Sequence, residues 1–439
     1  MTEQTIRGLA ARRLRAAVHF ITALLAGLVG VVWSLLRRGL VFTEHWLAHA
    51  KRAVYGIAVT RMLLALTGIG MLVCNFSTRL YTFGTGSAWN GEAARPRSML
   101  EQIWLFSLFH RLALHDVGFT LAYLALLLLA VMFLLGWRTK IVLPLFFVLW
   151  VSFAEMNDLV GDQGDNMYRI VLLSLLFADP SSRWSLDARR RRSAANTDGG
   201  WARRAWSGIP IMPAWLTNIM HNLVLVSMTC HVCFVYASGA LYKASGTPWQ
   251  AGYAIYNPLH TARFGPWPEL SDLLGSWGPA VTAMSWSSII LQMSFPMMLL
   301  NRVTRVIGLI GILSFHIGIA ILLGLPWFSL AMIAVDSIFI RTVTWRRMAR
   351  FARDAWSSAQ ERASGQAERP TGVAVTPAGD GAAVSSRSVG SRASSSGTTR
   401  STQPDGPGPP PVSPPSPSPS PSPVESPSAV PASSGNRSR

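Results

Sequence analysis

Long runs of apolar residues recur along this chain, and they constrain its fold more strongly than any other feature. A helix of roughly 20 apolar residues crosses the hydrocarbon core of a bilayer, which is about 30 Å thick. Half of the 439 residues are hydrophobic and only 14% are charged, a balance that soluble proteins of this length rarely show. The sequence therefore predicts an all-α fold, a polytopic bundle of helices integral to a membrane.

The apolar runs divide the chain into three parts. Residues 1–53 form a basic N-terminal segment, 54–345 a transmembrane domain, and 346–439 a basic juxtamembrane end followed by a tail. Eight core spans are predicted in the transmembrane domain, at about 54–76, 117–137, 141–157, 167–182, 213–242, 278–300, 306–324 and 326–341.

Residues 19–36, "HFITALLAGLVGVVWSLL", are a candidate ninth span. Arginines flank this segment on both sides, so charge does not orient it, and it either crosses the membrane or lies at the interface. No small-residue cleavage site follows it, which argues against a secretory signal peptide.

The net charge of +18 is concentrated in the short connections between the apolar runs. Lysine and arginine in such loops mark the cytoplasmic side of a membrane, whereas a nucleic-acid-binding protein would carry them on a soluble surface. Alternating the eight spans places the basic connections 138–140, 183–212 and 301–305 on one side, together with the tail. Charge thus predicts a multi-pass protein of the plasma membrane with a cytoplasmic tail and no nucleic-acid partner.

From about residue 357 the composition changes to Pro, Ser, Gly and Ala, as in "PPSPSPSPSP" at 414–423. Such a segment buries too little apolar surface to offset its ordering entropy, so we expect a disordered tail with polyproline II character. The tail is either a solvated extension or a docking site for a proline-recognising protein.

Ionisable residues inside membrane spans are costly, and they usually face a cavity or a polar partner. Here they are Arg61, Glu155, Arg169, His231, His316 and Asp336. We expect Asp336 to be structural, with Arg61 as its partner. Three cysteines, Cys74, Cys230 and Cys233, are interpreted as small apolar core residues, because they form neither a disulfide framework nor a metal-site pattern.

A dense polar cluster, "EMNDLVGDQGDNMYR" at 155–169, separates two predicted spans on the outer side. Its glycines permit tight turns that would let polar side chains converge, and its spacing does not match an EF-hand calcium loop. The candidate cavity-lining residues in this cluster are Asn157, Asp162, Gln163, Asp165 and Arg169. The alternative is a polar hairpin that joins two spans, with Arg169 neutralised by a carboxylate.

A second candidate site begins at Lys243, in "YKASGTPWQAG", where a long apolar run ends. Lys243 is either an interfacial lysine whose ammonium reaches the headgroups or a partly buried amine that serves as a base or nucleophile. His316, at mid-depth in "LSFHIGIAILLGL", is either a satisfied core histidine or a proton relay in the same cavity.

The quoted segments resemble the horizontally transferred transmembrane (HTTM) domain, which is shared with vitamin K-dependent gamma-carboxylase. Besides "YKASGTPWQAG", the matching stretches are "NDLVGDQGDNMYRIVLLSLLFADPSSRWSLDARR" and "SFHIGIAILLGLPWFSLAMIAVDSIFI", and Arg61 in the first core span is typical. The resemblance covers roughly residues 54–345. It looks closest to bacterial members of the sporulation-delaying-protein maturation type, which act in producing a secreted peptide toxin.

The resemblance implies a carboxylase-like enzyme that uses a reduced quinone of the vitamin K type. In the carboxylase, the lysine matching Lys243 deprotonates reduced vitamin K, and a histidine matching His316 lies in the same pocket. Oxygenation of the hydroquinone yields a base that removes a proton from the γ-carbon of a glutamate, to which carbon dioxide adds. Trp249 and Arg61 join the expected cavity lining. The implied partners are membrane lipid, a secreted peptide substrate and a maturation partner.

This chain departs from the carboxylase in two respects. A Pro/Ser-rich tail stands where the carboxylase has a large lumenal domain, and "DLVGDQGDN" replaces a loop that carries a further histidine. Three hypotheses therefore remain: a quinone-using enzyme, a non-catalytic membrane factor for peptide toxin maturation or export, and a transporter. The absence of an internal repeat and of paired Gly/Pro-broken spans argues against the transporter.

Overall fold

The computed structural model of the chain is built from helices. It describes residues 3–84, 102–157, 160–194, 212–261 and 264–367, together with Trp206 and Gly208. No strand occurs within these residues, and the predicted all-α fold is confirmed. The long helices are α1 (Glu3–Ala48), α2 (Val54–Cys74), α3 (Asp116–Leu135), α4 (Thr139–Ala154), α5 (Gln163–Leu175), α6 (Ala214–Ser245), α7 (Gly278–Met298), α8 (Arg302–Leu322), α9 (Pro326–Asp336) and α10 (Thr342–Ala367).

Short helical segments lie in the connections. They are Arg79–Thr82, Leu108–Leu112, Leu186–Ala194, Thr247–Gln250, Tyr256–Leu259 and Pro268–Gly275, with 3₁₀ turns at Trp104–Phe106 and Ser337–Phe339.

Five helical segments of the described chain are long and apolar enough to cross a membrane: Val18–Ala48, α2, α3, α6 and α8. A sixth is formed by Pro326–Phe339 and Thr342–Arg362 if these helices, bent by 113°, make one span. α4 is apolar but has only 16 residues, and α5 has 13. The chain is thus a multi-pass membrane protein. Segment 19–36 belongs to the first of the five, and the count of eight core spans stays a prediction.

Aromatic side chains fill the space between α2, α3, α4 and α5. Trp150 lies 4.5 Å from Tyr168 between ring centroids, and both side chains are buried. The Tyr168 hydroxyl donates to the Leu64 carbonyl at 2.8 Å, and the Tyr123 hydroxyl donates to the Leu72 carbonyl at 2.7 Å. These bonds satisfy hydroxyls that have no access to solvent, and they join α3 and α5 to α2.

The connections gather at two ends of the bundle. At the basic end, which contains 136–140 and 179–191, backbone N–H groups of Arg138 and Thr139 donate to Asp187. At the polar-loop end, which contains 155–157, 160–166, 243–261, 264–266 and 323–325, Asp162 and Gly324 line one cavity. Residues 138–139 and Asp187 thus lie together at one end, as the charge pattern predicts. The side of connection 301–305 and the orientation of the two ends in the membrane stay predictions.

The last helix extends further than the sequence suggests. α10 continues to Ala367, so the expectation of disorder from residue 357 is wrong for its first eleven residues. Alanine and glutamine, both good helix formers, recur in this stretch beside Glu361 and Arg362, and they favour the extension. The rest of the predicted tail lies outside the described residues.

Candidate functional site

Lys243 lies in the last turn of α6, at the polar-loop end. The helix ends at Ser245, and Pro248, in the first turn of the next short helix, fits that break because it lacks a backbone N–H. The ammonium group of Lys243 donates a hydrogen bond of 2.7 Å to Oε1 of Gln292, a buried residue of α7. This bond positions the half-buried amine between α6 and α7.

Two aromatic rings face the same ammonium group. Its nitrogen lies 5.2 Å from the ring centroid of Trp249 and 5.3 Å from that of Phe315. The Trp249 backbone is held by a hydrogen bond of 3.1 Å from the indole N–H of Trp286. Within the described chain no carboxylate forms an ion pair with Lys243. One neutral acceptor and two ring faces therefore stabilise the ammonium charge of Lys243, and they do so less strongly than a carboxylate would.

A chain of three buried polar side chains crosses the interior of the bundle. Nε2 of His316 in α8 lies 3.0 Å from the hydroxyl of Tyr236 in α6. That hydroxyl donates to Oδ2 of Asp336, the last residue of α9, at 2.7 Å. The chain connects three helices through groups that would be costly to bury alone.

The single hydroxyl hydrogen of Tyr236 gives this chain a direction. Because it is donated to Asp336, the Tyr236 oxygen is left to accept from Nε2–H of His316. Nδ1 of a neutral His316 then carries a lone pair, and this atom is buried without a hydrogen-bond partner among the described residues. His316 is thus oriented with one nitrogen committed and the other available as a proton acceptor.

Phe315 lies next to both residues that the sequence proposes as catalytic. Its ring faces the Lys243 ammonium, and its centroid is 5.2 Å from that of the His316 ring. The structure therefore brings Lys243 and His316 into one neighbourhood.

An apolar cavity of about 430 Å³ adjoins Phe315. It lies between α7, α8 and the short helix Tyr256–Leu259, and its wall includes Ile255, Leu259, Leu291, Gly311, Phe315 and Leu322. Two hydroxyls, those of Ser287 and Ser314, are its polar groups. This volume suits a small organic molecule. Lys243 and His316 are not part of the wall, and Phe315 is the residue that the cavity shares with them.

Most of the candidate side chains in the polar cluster 155–169 form hydrogen bonds that fix the conformation of this loop. Asp162 caps α5 by accepting from the Gly164 N–H at 2.6 Å, and Asp165 accepts from the Asp162 N–H at 2.9 Å. Asn157 donates to the Thr82 carbonyl at 2.8 Å, and Gln163 accepts from Asn166 at 3.4 Å. The two aspartate bonds form the capping box that fixes the start of a helix.

Arg169 forms an ion pair with Glu155, so the predicted neutralisation of this arginine by a carboxylate is confirmed. Its guanidinium also donates to the Asn166 side chain. The partners lie on either side of the loop, and the pair therefore joins the end of α4 to the middle of α5.

A second cavity, of about 170 Å³, connects this loop with the late helices. Asp162 and Asp165 line it, whereas Asn157, Gln163 and Arg169 do not. Phe328 also lines it, and the ring centroid of Phe328 is 5.8 Å from that of His316. Phe328 thus connects the cavity at the polar loop with the His316 ring.

Arg61 lies at the basic end and lines neither cavity of the polar-loop end. Its buried guanidinium donates to the Trp184 carbonyl at 2.6 Å and lies against Gly136, whose φ of +63° ends α3. A Cβ at position 136 would overlap the guanidinium, so glycine permits this approach. Asp336 is bonded to Tyr236 instead, and the expected pair of Arg61 with Asp336 is wrong.

The W-S-L-D segment, Trp184 to Asp187, has a structural role at the same end. The Asp187 carboxylate accepts from the N–H groups of Arg138 and Thr139 at 2.9 and 2.8 Å, at the start of α4. Ser185 accepts from the Ala188 N–H at 2.9 Å. All three bonds satisfy free N–H groups of the kind that every helix start exposes.

Sequence reasoning missed Tyr236 and Gln292. Gln292 is an uncharged amide in the apolar run "SSIILQMSF", and a buried amide at that depth signals a polar partner. Tyr236, in "CFVYASG", gives no such signal, because tyrosine is common in membrane helices.

The cysteines do not form part of the core as expected. Cys74 and Cys230 are exposed on the helix surface, and Cys233 is half-buried. Helix rotation places Cys74 and Cys230 on the outer surface of the bundle. Among the described residues no group of three or more His, Cys, Asp or Glu side chains is placed to hold a metal ion.

The helices and their buried polar chain define a multi-pass α-helical membrane protein. Comparison with known families extends this result, since the HTTM domain matches residues 56–345. The chain belongs to the HTTM domain family. No curated protein and no solved structure gives a significant match.

Proposed function

We propose that this HTTM protein is a carboxylase-like membrane enzyme in which Lys243 acts as a general base on a reduced quinone. The observation that supports the proposal most directly is the environment of Lys243. Its half-buried amine is held by Gln292 and two aromatic rings, and no carboxylate of the described chain pairs with it. Partial removal from water and from anions makes an amine a better base than a solvated lysine at a helix end.

The cavity beside Phe315 supports a quinone as the substrate of that base. It is apolar, it lies between two membrane helices, and a lipid-soluble ring would reach it from the bilayer. When bound, a reduced quinone would supply the reducing power that converts dioxygen into water and the oxygen of a quinone epoxide. Lys243 would accept the proton of a quinol hydroxyl at Nζ, and Phe315 would exclude water from the amine.

His316 is proposed as a second proton acceptor. Its Nδ1 has no partner in the described chain, and Tyr236 and Asp336 hold the ring by its other nitrogen. A histidine fixed in this way keeps its free lone pair in one direction, which is what a proton relay requires.

We further propose that the enzyme modifies a secreted peptide at the outer face of the plasma membrane. The polar-loop end, where Lys243 lies, is opposite the basic end, and the positive-inside pattern assigns the basic end to the cytoplasm. The peptide would then meet the site from the side on which it is released.

The decisive experiment is oxygen-dependent epoxidation of a reduced naphthoquinone by the purified protein. Lys243→Met is compared with Lys140→Met, which makes the same chemical change at an exposed lysine of the basic end. We expect turnover by the parent and by Lys140→Met, and a loss of roughly 100-fold or more in Lys243→Met. Equal turnover in both variants, or no turnover by a folded parent protein, would reject the proposal.

A non-catalytic role in peptide toxin maturation or export is the second candidate. It is favoured by the polar cluster 155–169, whose side chains are engaged in capping, backbone contacts and one ion pair. This role predicts normal peptide maturation in cells that carry Lys243→Met. The enzyme proposal predicts that the same variant blocks maturation.

A further inference from the structure

A third cavity, of about 370 Å³, lies at the basic end, where α4 begins, α5 ends and α6 begins. We call it the basic-end cavity. Its inner wall is apolar and includes Leu143, Pro144, Leu175, Leu176, Phe177 and Met220. Met220 and Lys243 are separated by roughly 35 Å along α6, at 1.5 Å per residue. The basic-end cavity is therefore independent of the site proposed for catalysis.

The rim of the basic-end cavity is positively charged. It carries Lys51, Lys140 and Arg191 against a single carboxylate, Asp179. Asp179 is paired with Lys51 at 2.7 Å, so its charge is already neutralised. Lys140 is exposed and has no hydrogen-bond or ion-pair partner within the described chain, and Arg191 donates only to the Ser181 carbonyl, at 2.5 Å. Arg191 also lies near Asp179, which Lys51 already neutralises, so three cations against one carboxylate leave the rim with a net positive charge.

Exposed tryptophans near this rim indicate that it lies at the level of the lipid headgroups. Trp215, in the first turn of α6, is 57% exposed, and Trp206 is 66% exposed. Tryptophan is enriched where the hydrocarbon core meets water. The guanidinium of Arg138 lies 3.4 Å from the Trp206 ring centroid, so a further cation stands near the same level.

We infer that the basic-end cavity binds an anionic phospholipid of the surrounding membrane. The phosphate would contact Lys140 and Arg191, and an acyl chain would lie against the wall formed by α4, α5 and α6. A free phosphate would use the rim alone and leave the apolar wall exposed. A zwitterionic lipid would bring its own cation toward Lys140 and Arg191, so an anionic headgroup fits best.

Native mass spectrometry of the full chain, released from nanodiscs, tests this inference. Retention of phosphatidylglycerol is compared with that of phosphatidylcholine of the same acyl chains. The variants are Lys140→Gln alone, which removes no bond seen in the structure, and Lys140→Gln with Arg191→Gln. The matched control is Arg347→Gln with Arg350→Gln, which removes two exposed charges from α10.

We expect the parent and the control to retain phosphatidylglycerol in preference to phosphatidylcholine, and the double variant to lose roughly tenfold or more of that retention. Lys140→Gln should give an intermediate loss. Equal losses in the double variant and the control would show a general effect of surface charge and reject the site.

Two further arms distinguish the source of the phosphate and test the apolar wall. Inorganic phosphate and glycerol phosphate should leave the thermal stability unchanged, whereas long-chain phosphatidylglycerol should raise it more than a short-chain form does. An equal rise with inorganic phosphate would reject the lipid in favour of a soluble anion. Epoxidation by the double variant should match the parent, which separates this inference from the proposed catalysis.

Discussion

Tyr236 donates a hydrogen bond of 2.7 Å to Asp336, and the same hydroxyl oxygen lies 3.0 Å from His316. One phenol thereby satisfies two buried polar side chains that come from different helices. Oδ1 of Asp336 and Nδ1 of His316 have no partners among the described residues. No second donor is therefore placed to replace Tyr236, and the arrangement depends on this one hydroxyl.

Tyr236→Phe tests that dependence. The substitution keeps the ring but leaves His316 and Asp336 unpaired, and each unsatisfied buried group costs about 1–3 kcal/mol. We expect the free energy of unfolding in detergent micelles to fall by about that amount or more. Tyr242→Phe, which removes a hydroxyl from an 81% exposed residue, should leave stability unchanged. Equal stability of the two variants would show that the hydrogen-bonded chain contributes nothing.

Gln292→Glu tests how strongly the surroundings of Lys243 hold its charge. The new carboxylate would lie within ion-pair distance of Nζ, because the amide oxygen already lies 2.7 Å away. A carboxylate stabilises the unreactive ammonium, so acylation of Lys243 by an uncharged amine-reactive reagent should slow by roughly tenfold. Peptide mass spectrometry measures the rate, with Lys140 in the same molecule as the reference. An unchanged ratio of the two rates would contradict the proposed role of Gln292.

The ion pair of Asp179 with Lys51 predicts a dependence of stability on pH. Burial alone would raise the pKa of Asp179, but the charge and hydrogen bond of Lys51, with further help from Arg191 and His221, hold that pKa below its ordinary value. The ionised carboxylate therefore stabilises the folded protein. This stabilisation is complete above the ordinary aspartate pKa of about 4 and is lost as the pH falls through the lower folded-state pKa.

Thermal unfolding between about pH 6 and pH 3 measures this contribution. Asp179→Asn should lower the melting temperature at the upper end of that range and reduce its fall on acidification. Asp354→Asn, at an exposed position of α10, is the control and should follow the parent. A parallel pH profile for parent and Asp179→Asn would mean that the ion pair does not contribute to stability.

Asp162→Ala tests whether the polar cluster 155–169 acts by capping α5. Asp162 accepts from the Gly164 N–H at 2.6 Å, and loss of such a cap costs about 0.5–2 kcal/mol. Asp162→Asn keeps an oxygen acceptor and should lose less. The free energy of unfolding, measured for both variants, distinguishes capping from a role of the charge. Equal losses would indicate that the charge rather than capping is required at this position.

Some features of the site could be predicted from local sequence. Arg169 follows Glu155 across a short polar loop, so their ion pair requires only that two neighbouring spans run antiparallel. A shared cavity for Lys243 and His316 was one of two interpretations that the residues left open, and the resemblance favoured it. Their actual surroundings, Gln292 and Phe315, lie on α7 and α8, and nothing near Lys243 in the chain specifies them.

Arg61 shows why depth in a span does not identify a partner. Its side chain contacts Trp184 and Gly136 at the basic end, although the sequence places an acidic residue, Asp336, in another span. Which residues meet depends on the rotation of each helix about its axis and on where neighbouring helices cross. Both are set by packing of side chains over the whole bundle.

The sequence by itself determined that this is a helical multi-pass membrane protein with two unlike ends. Those properties follow from hydrophobicity and charge, which belong to each segment by itself and determine how that segment interacts with the bilayer. Only the tertiary structure decided that Tyr236 meets His316 and Asp336, which lie 80 and 100 residues further along the chain. Such a contact exists only when three helices have packed in one register, because no segment alone can satisfy a buried polar group of another.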